Sequence, residues 1–130
     1  MPESDLTKGV EIELCDGYLH ITHPEGFIVS AEALEPLWAN LADACRRHRC
    51  KKVLNEGRLD FSRLRTYDSY QSGSYAGEIR GLQMACLFYG FIPMDKAEFF
   101  KTVASNRGAR IDFFEDRASA LKWLGVGPAS

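Results

Sequence analysis

Residues 82–90, LQMACLFYG, form an apolar run of strand length with no polar–apolar alternation. A strand that hides one face alternates, whereas one that is apolar throughout is buried on both faces, as happens where helices cover the two sides of a mainly parallel sheet. Even when extended to Ile92 the run is far too short to span a bilayer. The segment after it, MDKAEFFKTVASNRG, changes period. Asp95 and Glu98 stand in capping-box spacing, Phe99, Phe100, Val103 and Ala104 form one inward face, and Gly108 is a helix stop. ARIDFF then reads as a strand, and EDRASALKWLG as a short helix capped by Asp116, with Leu121 and Leu124 turned inward.

The same alternation runs back through the chain. VEIELC and YLHITH alternate around Asp16-Gly17, the short-range hairpin signal in which both turn residues are expected at positive φ. His20 and His23 are three apart on the second strand, which puts them on opposite faces; they cannot chelate together and read as surface or edge side chains. After PEGFIV, the positions Leu34, Leu37, Trp38, Leu41, Ala42 and Cys45 mark one face of a helix with Ser30 as its N-cap. Pro36 either bends this helix or opens its regular part after a separate turn. KKVLN is a short buried strand, and a second, weaker helix reaches about Ile79; its Gly73 and Gly77 are poor helix formers, so tertiary packing must hold it. The order is β-β-α-β-α-β-α-β-α. The fold class is therefore α/β, a mixed, mainly parallel five-stranded sheet opened by a β-hairpin, with about four helices. The 130 residues suit one domain with its core at about residues 10–124 and short flexible ends.

Composition narrows function by exclusion. A net charge of −2 supplies no global field to gather nucleic acid or a membrane surface, so no nucleic-acid partner is expected and any contact with a membrane surface would have to be local. The start MPESDLTKGV has neither a basic n-region nor an apolar h-region, which predicts a cytoplasmic protein without leader or transmembrane segment. Four cysteines, at 15, 45, 50 and 86, are too scattered for a disulfide framework. CRRHRC offers three ligands amid cations where a closed zinc site needs four, so no metal is expected there and the cluster reads as a helix C-terminus. No G-x-S-x-G elbow, H-E-x-x-H pair or Walker loop occurs, and neither catalytic residues nor a cofactor are assigned.

The element order, together with FFKTVASNRGARIDFFEDRASALKWL at residues 99–124, resembles the SpoIIAA-like domains. That fold is shared by STAS domains and by a bacterial set linked to lipid-binding Sec14-type proteins, in which an F…VA.NRG…F.D…A..WL ending recurs. The shared residues look structural, with Asn106 and Gly108 ending a helix, Phe113 or Phe114 entering the core and Trp123 closing the last helix. In STAS antagonists of anti-sigma factors a Ser at a helix N-terminus is phosphorylated to control partner binding. The resemblance puts that place in TYDSYQSG, with Ser69 nearest and Thr66 next, and the position after a strand end makes Asn55 to Asp68 part of a candidate partner rim. The same residues also read as plain capping, with Asp68 as N-cap, Gln71 closing the box and Ser69 a passive first-turn residue. Strand C-termini and the loops after them are where open α/β sheets place ligands. The leading expectation is a non-catalytic regulatory or protein-interaction module whose partner is another protein. The alternative is a carrier or sensor of a small apolar or lipid-like ligand, with Tyr70, Tyr89 and Phe91 as candidate pocket residues. An enzyme without a recognisable motif is the third reading.

Overall fold

The computed structural model describes residues 6–126; parts of both expected flexible ends lie outside them. The chain runs β1 (Glu11–Leu14), β2 (Leu19–Thr22), β3 (Phe27–Ile28), α1 (Ala31–His48), β4 (Lys52–Gly57), β5 (Leu59–Asp60), α2 (Thr66–Glu78), β6 (Gln83–Phe88), α3 (Met94–Asn106), β7 (Arg110–Phe114) and α4 (Arg117–Leu124). The main sheet has the order β1-β2-β4-β6-β7, antiparallel only between β1 and β2. This is the SpoIIAA-like, or STAS-like, arrangement: a hairpin opening a mainly parallel sheet, with four helices.

Strand periodicity sorts the core into two layers. Leu19, Ile21, Val53, Met84, Cys86 and Ile111 point to one face, where they meet Leu41, Ala44 and Cys45 of α1, Ala76 of α2 and Ala104 of α3. Leu54, Ala85 and Leu87 point to the other, where α4 covers them with Ala120 and Leu124. β6 is thus apolar on both faces because helices lie on both. The second sheet, β3 paired in parallel with β5, is an addition that the sequence pattern does not reveal. It is too short for periodicity to register, and it brings Val29, Leu34 and Leu59 together at the ends of β2 and β4.

Several local expectations are corrected. In the hairpin only Gly17 takes positive φ, at 89°; Asp16 does not, so the turn is not the double-positive type. α1 runs unbroken through Pro36, which settles the open choice against a separate turn, and Ser30 sits at the N-cap without a side-chain cap bond. Asp68 is not the N-cap of α2. Arg65 is, and Asp68, three residues in, reaches back to accept its backbone N–H at 2.9 Å; the Arg65 guanidinium has no acceptor, so the return bond of a capping box is not made by its side chain. Ser69 accordingly lies in the fourth helical position. α3 begins after Pro93 with no side-chain cap, and the expected Asp95–Glu98 box does not form. Phe99 is exposed while Phe100 packs inward against Trp38 and Phe113. Neighbouring helical residues point about 100° apart, and the buried Ala97, Val103 and Ala104 share a face with Phe100. Asp116 caps α4 as expected, its carboxylate accepting the Ser119 N–H at 2.8 Å.

Candidate functional site

A cavity of about 140 Å³ lies between the sheet and α1, α2 and α3, at the C-terminal ends of the parallel strands. The strand register dictates its floor. Residues two apart share a face, so Ile21 leads to His23, Val53 to Asn55, and Met84 to Cys86 and Phe88. Trp38 of α1 and Ala97 and Phe100 of α3 form much of its roof, and Leu59, Phe61 and Leu64 of the β5 region close one end. Most of this lining is apolar. Its polar members are His23, Asn40, Asn55, Ser69, Ser72 and Lys96.

Two of these polar groups have unmet hydrogen-bonding capacity. His23 shares a hydrogen bond of 2.8 Å between its Nε2 and Asn55 Oδ1, while its Nδ1 is buried with no partner among the described residues. Ser69 is 2% exposed and its Oγ likewise finds none. Burial pushes the His23 imidazole below its ordinary value, only partly offset by the Asn55 bond. Cys86, in the floor, is a buried thiol whose pKa burial drives upward, leaving it an inert small hydrophobe rather than a nucleophile.

The opposite face of the sheet holds a different arrangement. Glu56 accepts from Tyr89 Oη at 2.6 Å and from the Arg117 guanidinium at 2.7 and 2.9 Å, and it shares a 2.8 Å bond with His20 Nε2. Burial alone would raise the Glu56 pKa; the hydrogen bonds from Tyr89, His20 and Arg117, with the Arg117 charge, overcome this and hold it below its ordinary value. Every oxygen of that carboxylate is engaged, and the cluster ties β2, β4, the loop after β6 and α4 together.

The residues singled out from sequence separate accordingly. Asn55 and Ser69 meet at the cavity. Thr66 is exposed at the first position of α2, and Asp68 is buried at its third, where it also engages the Arg65 guanidinium at 3.2 Å. Tyr70, Tyr89 and Phe91 do not line the cavity: Tyr70 lies under Arg107 on the outer side of α2, Tyr89 belongs to the Glu56 cluster, and Phe91 is 80% exposed. His20 and His23 do occupy opposite faces, but both are half-buried and hydrogen-bonded, not the surface or edge side chains expected. The missed signal at His23 was parity, since it continues the buried set Leu19 and Ile21. CRRHRC closes α1 as read, with Arg49 as C-cap in the left-handed region at φ 52° and burial, foremost, raising the Cys45 thiol to about 11. Among the described residues no group of three or more His, Cys, Asp and Glu side chains could hold a metal ion, and no helix is long and apolar enough to cross a membrane.

The chain has an α/β fold of SpoIIAA-like architecture with an apolar cavity on the three-helix side of its sheet. No protein-family model and no curated protein matches it. Among solved structures, a protein of the DUF3478 family with a SpoIIAA-like fold from Shewanella loihica PV-4 aligns at 22% identity over 88% of this chain and 91% of its own, with a TM-score of 0.49. DspI of Pseudomonas aeruginosa aligns at 13% identity over 82% of this chain, with a TM-score of 0.48, and an enoyl-CoA hydratase-like protein from Streptomyces coelicolor A3(2) at 14% over 62%, with a TM-score of 0.44. The chain spans 53% and 38% of those two proteins respectively.

Proposed function

We propose that this domain is a non-catalytic binding module for a small apolar ligand held between the sheet and α1–α3. The observation that carries the reading is the cavity itself: about 140 Å³, predominantly apolar, and placed at the strand C-termini where open α/β sheets bind ligands. Well-packed cores leave few voids larger than a water molecule. The alternative reading, a phosphate switch controlling a protein partner, draws less support, because the Ser69 hydroxyl is buried and a kinase would reach it only after α2 had opened. Thr66 is exposed in the first turn and keeps that reading on one residue.

The test is native mass spectrometry of protein purified without denaturation, paired with titration by toluene. The proposal expects an added mass that disappears on unfolding, or, for empty protein, saturable movement of the Met84 methyl resonance, since Met84 lines the cavity floor. A clean mass together with an unmoved Met84 methyl at saturating toluene would overturn it.

A further inference from the structure

We infer that the ligand is a small uncharged molecule with a compact apolar body and one hydroxyl group, of the chemical class of phenol; this rests on the ligand-binding reading above. Size comes first. At about 140 Å³ the space is close to the ~150 Å³ of an apolar protein cavity that accepts benzene. One aromatic ring, or an aliphatic body of that bulk, fits there, with one side of the space open to solvent.

The polar groups then set what the ring carries. An amide oxygen only accepts, so the bond between Asn55 Oδ1 and His23 Nε2 places the imidazole hydrogen on Nε2. In the neutral ring Nδ1 is then an acceptor, and it is buried without a donor among the described residues. The Asn55 amide orientation agrees, because its Nδ2 is turned toward the Met84 sulfur at 3.8 Å. Ser69 Oγ, which donates or accepts, is buried and equally unpartnered. A purely apolar ligand leaves both groups unmatched. Neither atom has surface open to the cavity as the side chains stand, so a ligand reaches them through a small rotation of the imidazole or the Ser69 hydroxyl; a hydroxyl then supplies a donor and an acceptor at once and can satisfy either group.

Charge is selected against. Lys96 is the one lysine of the described lining, partly exposed, and no arginine joins it. A carboxylate brings acceptors alone, so against Nδ1 it sets lone pair against lone pair while giving up its hydration. The lowered His23 pKa keeps the ring neutral near pH 7, in support of that assignment.

The experiment titrates the full chain with toluene, phenol and benzoate at pH 7.5, reading dissociation constants by NMR. Water solvates phenol better than toluene, so an apolar cavity with no polar role would favour toluene. We expect the reverse, with phenol tighter by about tenfold, the equivalent of about 1.4 kcal/mol. Benzoate should be the weakest. In Ser69→Ala and His23→Phe, taken separately, at least one variant should bring the ratio of phenol affinity to toluene affinity from about ten down to about one or below, and toluene binding itself reports that each variant is folded. Toluene binding at least as tightly as phenol to the wild type overturns the hydroxyl while leaving the cavity reading intact. Benzoate binding tightest overturns the neutral charge, and a phenol preference unchanged in both variants overturns the assigned contacts. If none of the three binds, this inference falls together with the proposed function.

Discussion

Asp68, 1% exposed, accepts the backbone N–H of Arg65 and faces the Arg65 guanidinium across 3.2 Å. Removing the carboxylate leaves the Arg65 backbone N–H and guanidinium without their acceptor, so Asp68→Ala should lower stability by about 1–3 kcal/mol in urea unfolding. Asp68→Asn, which keeps an acceptor oxygen, should lose less. His23 makes a pH prediction. Its folded pKa lies below its ordinary 6.5, so the unfolded chain takes up the proton first. The stability it contributes is complete above about pH 6.5 and is lost as pH falls through the folded pKa. Denaturant midpoints of the wild type should therefore drop relative to His23→Gln as pH falls from 7.5 to 5.5; a constant difference between the two proteins would contradict the burial assigned to this ring. Glu56 follows the same sign in a lower window, since its folded pKa lies below the ordinary 4.5 and its contribution fades only in stronger acid.

Among the elements, α2 and α3 depend on each other most closely. A Cβ built on Gly73 would stand 2.6 Å from Val103 Cβ, and one on Gly77 would overlap Arg107. Two glycines four apart thus form the flat stripe on which α3 rests, the tertiary support that the weak helical pattern of residues 66–78 requires. Gly73→Ala would gain about 1 kcal/mol of helix propensity, yet the overlap costs about 1–3 kcal/mol and the packing term should win. Net stabilisation in thermal unfolding would mean that the helices can part without loss. On α3, Phe100→Ala should cost about 3–5 kcal/mol and Phe99→Ala under about 1. The sequence revealed the helix but not which phenylalanine points inward, because adjacent aromatics offer the pattern two phases and only the position of the sheet chooses between them. The same limit applies at α2, where Asp68 shows that the helix starts nearby but a carboxylate suits the N-cap and the third helical position alike. The unbroken apolar run of β6 and the periodic face of α1 were legible because burial constrains many consecutive or regularly spaced residues at once, whereas β3 and β5 are two residues each and leave no pattern to read.

At the scale of the whole molecule, the sheet divides two chemistries: an apolar cavity with unpartnered polar groups on the α1–α3 side, and a satisfied carboxylate cluster beside α4. The candidate site was only partly readable for that reason. Asn55 and Ser69 stood out as polar residues near strand and helix ends, but the lining comes from nine elements and several loops, and no single stretch of chain carries its signature. Tyr70, Tyr89 and Phe91 stood out as aromatics, and their exposure depends on faces that only the assembled layers define. The division predicts that stability and binding can be altered separately. Leu124 of α4 is 1% exposed beneath the face remote from the cavity, where it packs in the cluster containing Leu54, Ala85 and Leu87. Leu124→Ala should cost about 2–5 kcal/mol through lost burial and a new void. The strands between the two layers remain held by their own hydrogen bonds, so the cavity floor at Met84 and Cys86 should keep its shape. The dissociation constant for toluene, measured well below the lowered melting temperature, should then stay within about twofold of wild type, a change of under about 0.5 kcal/mol. A tenfold loss of affinity in folded Leu124→Ala protein would show that the sheet transmits packing changes from one face to the other, and would turn α4 from a passive cover into a determinant of binding.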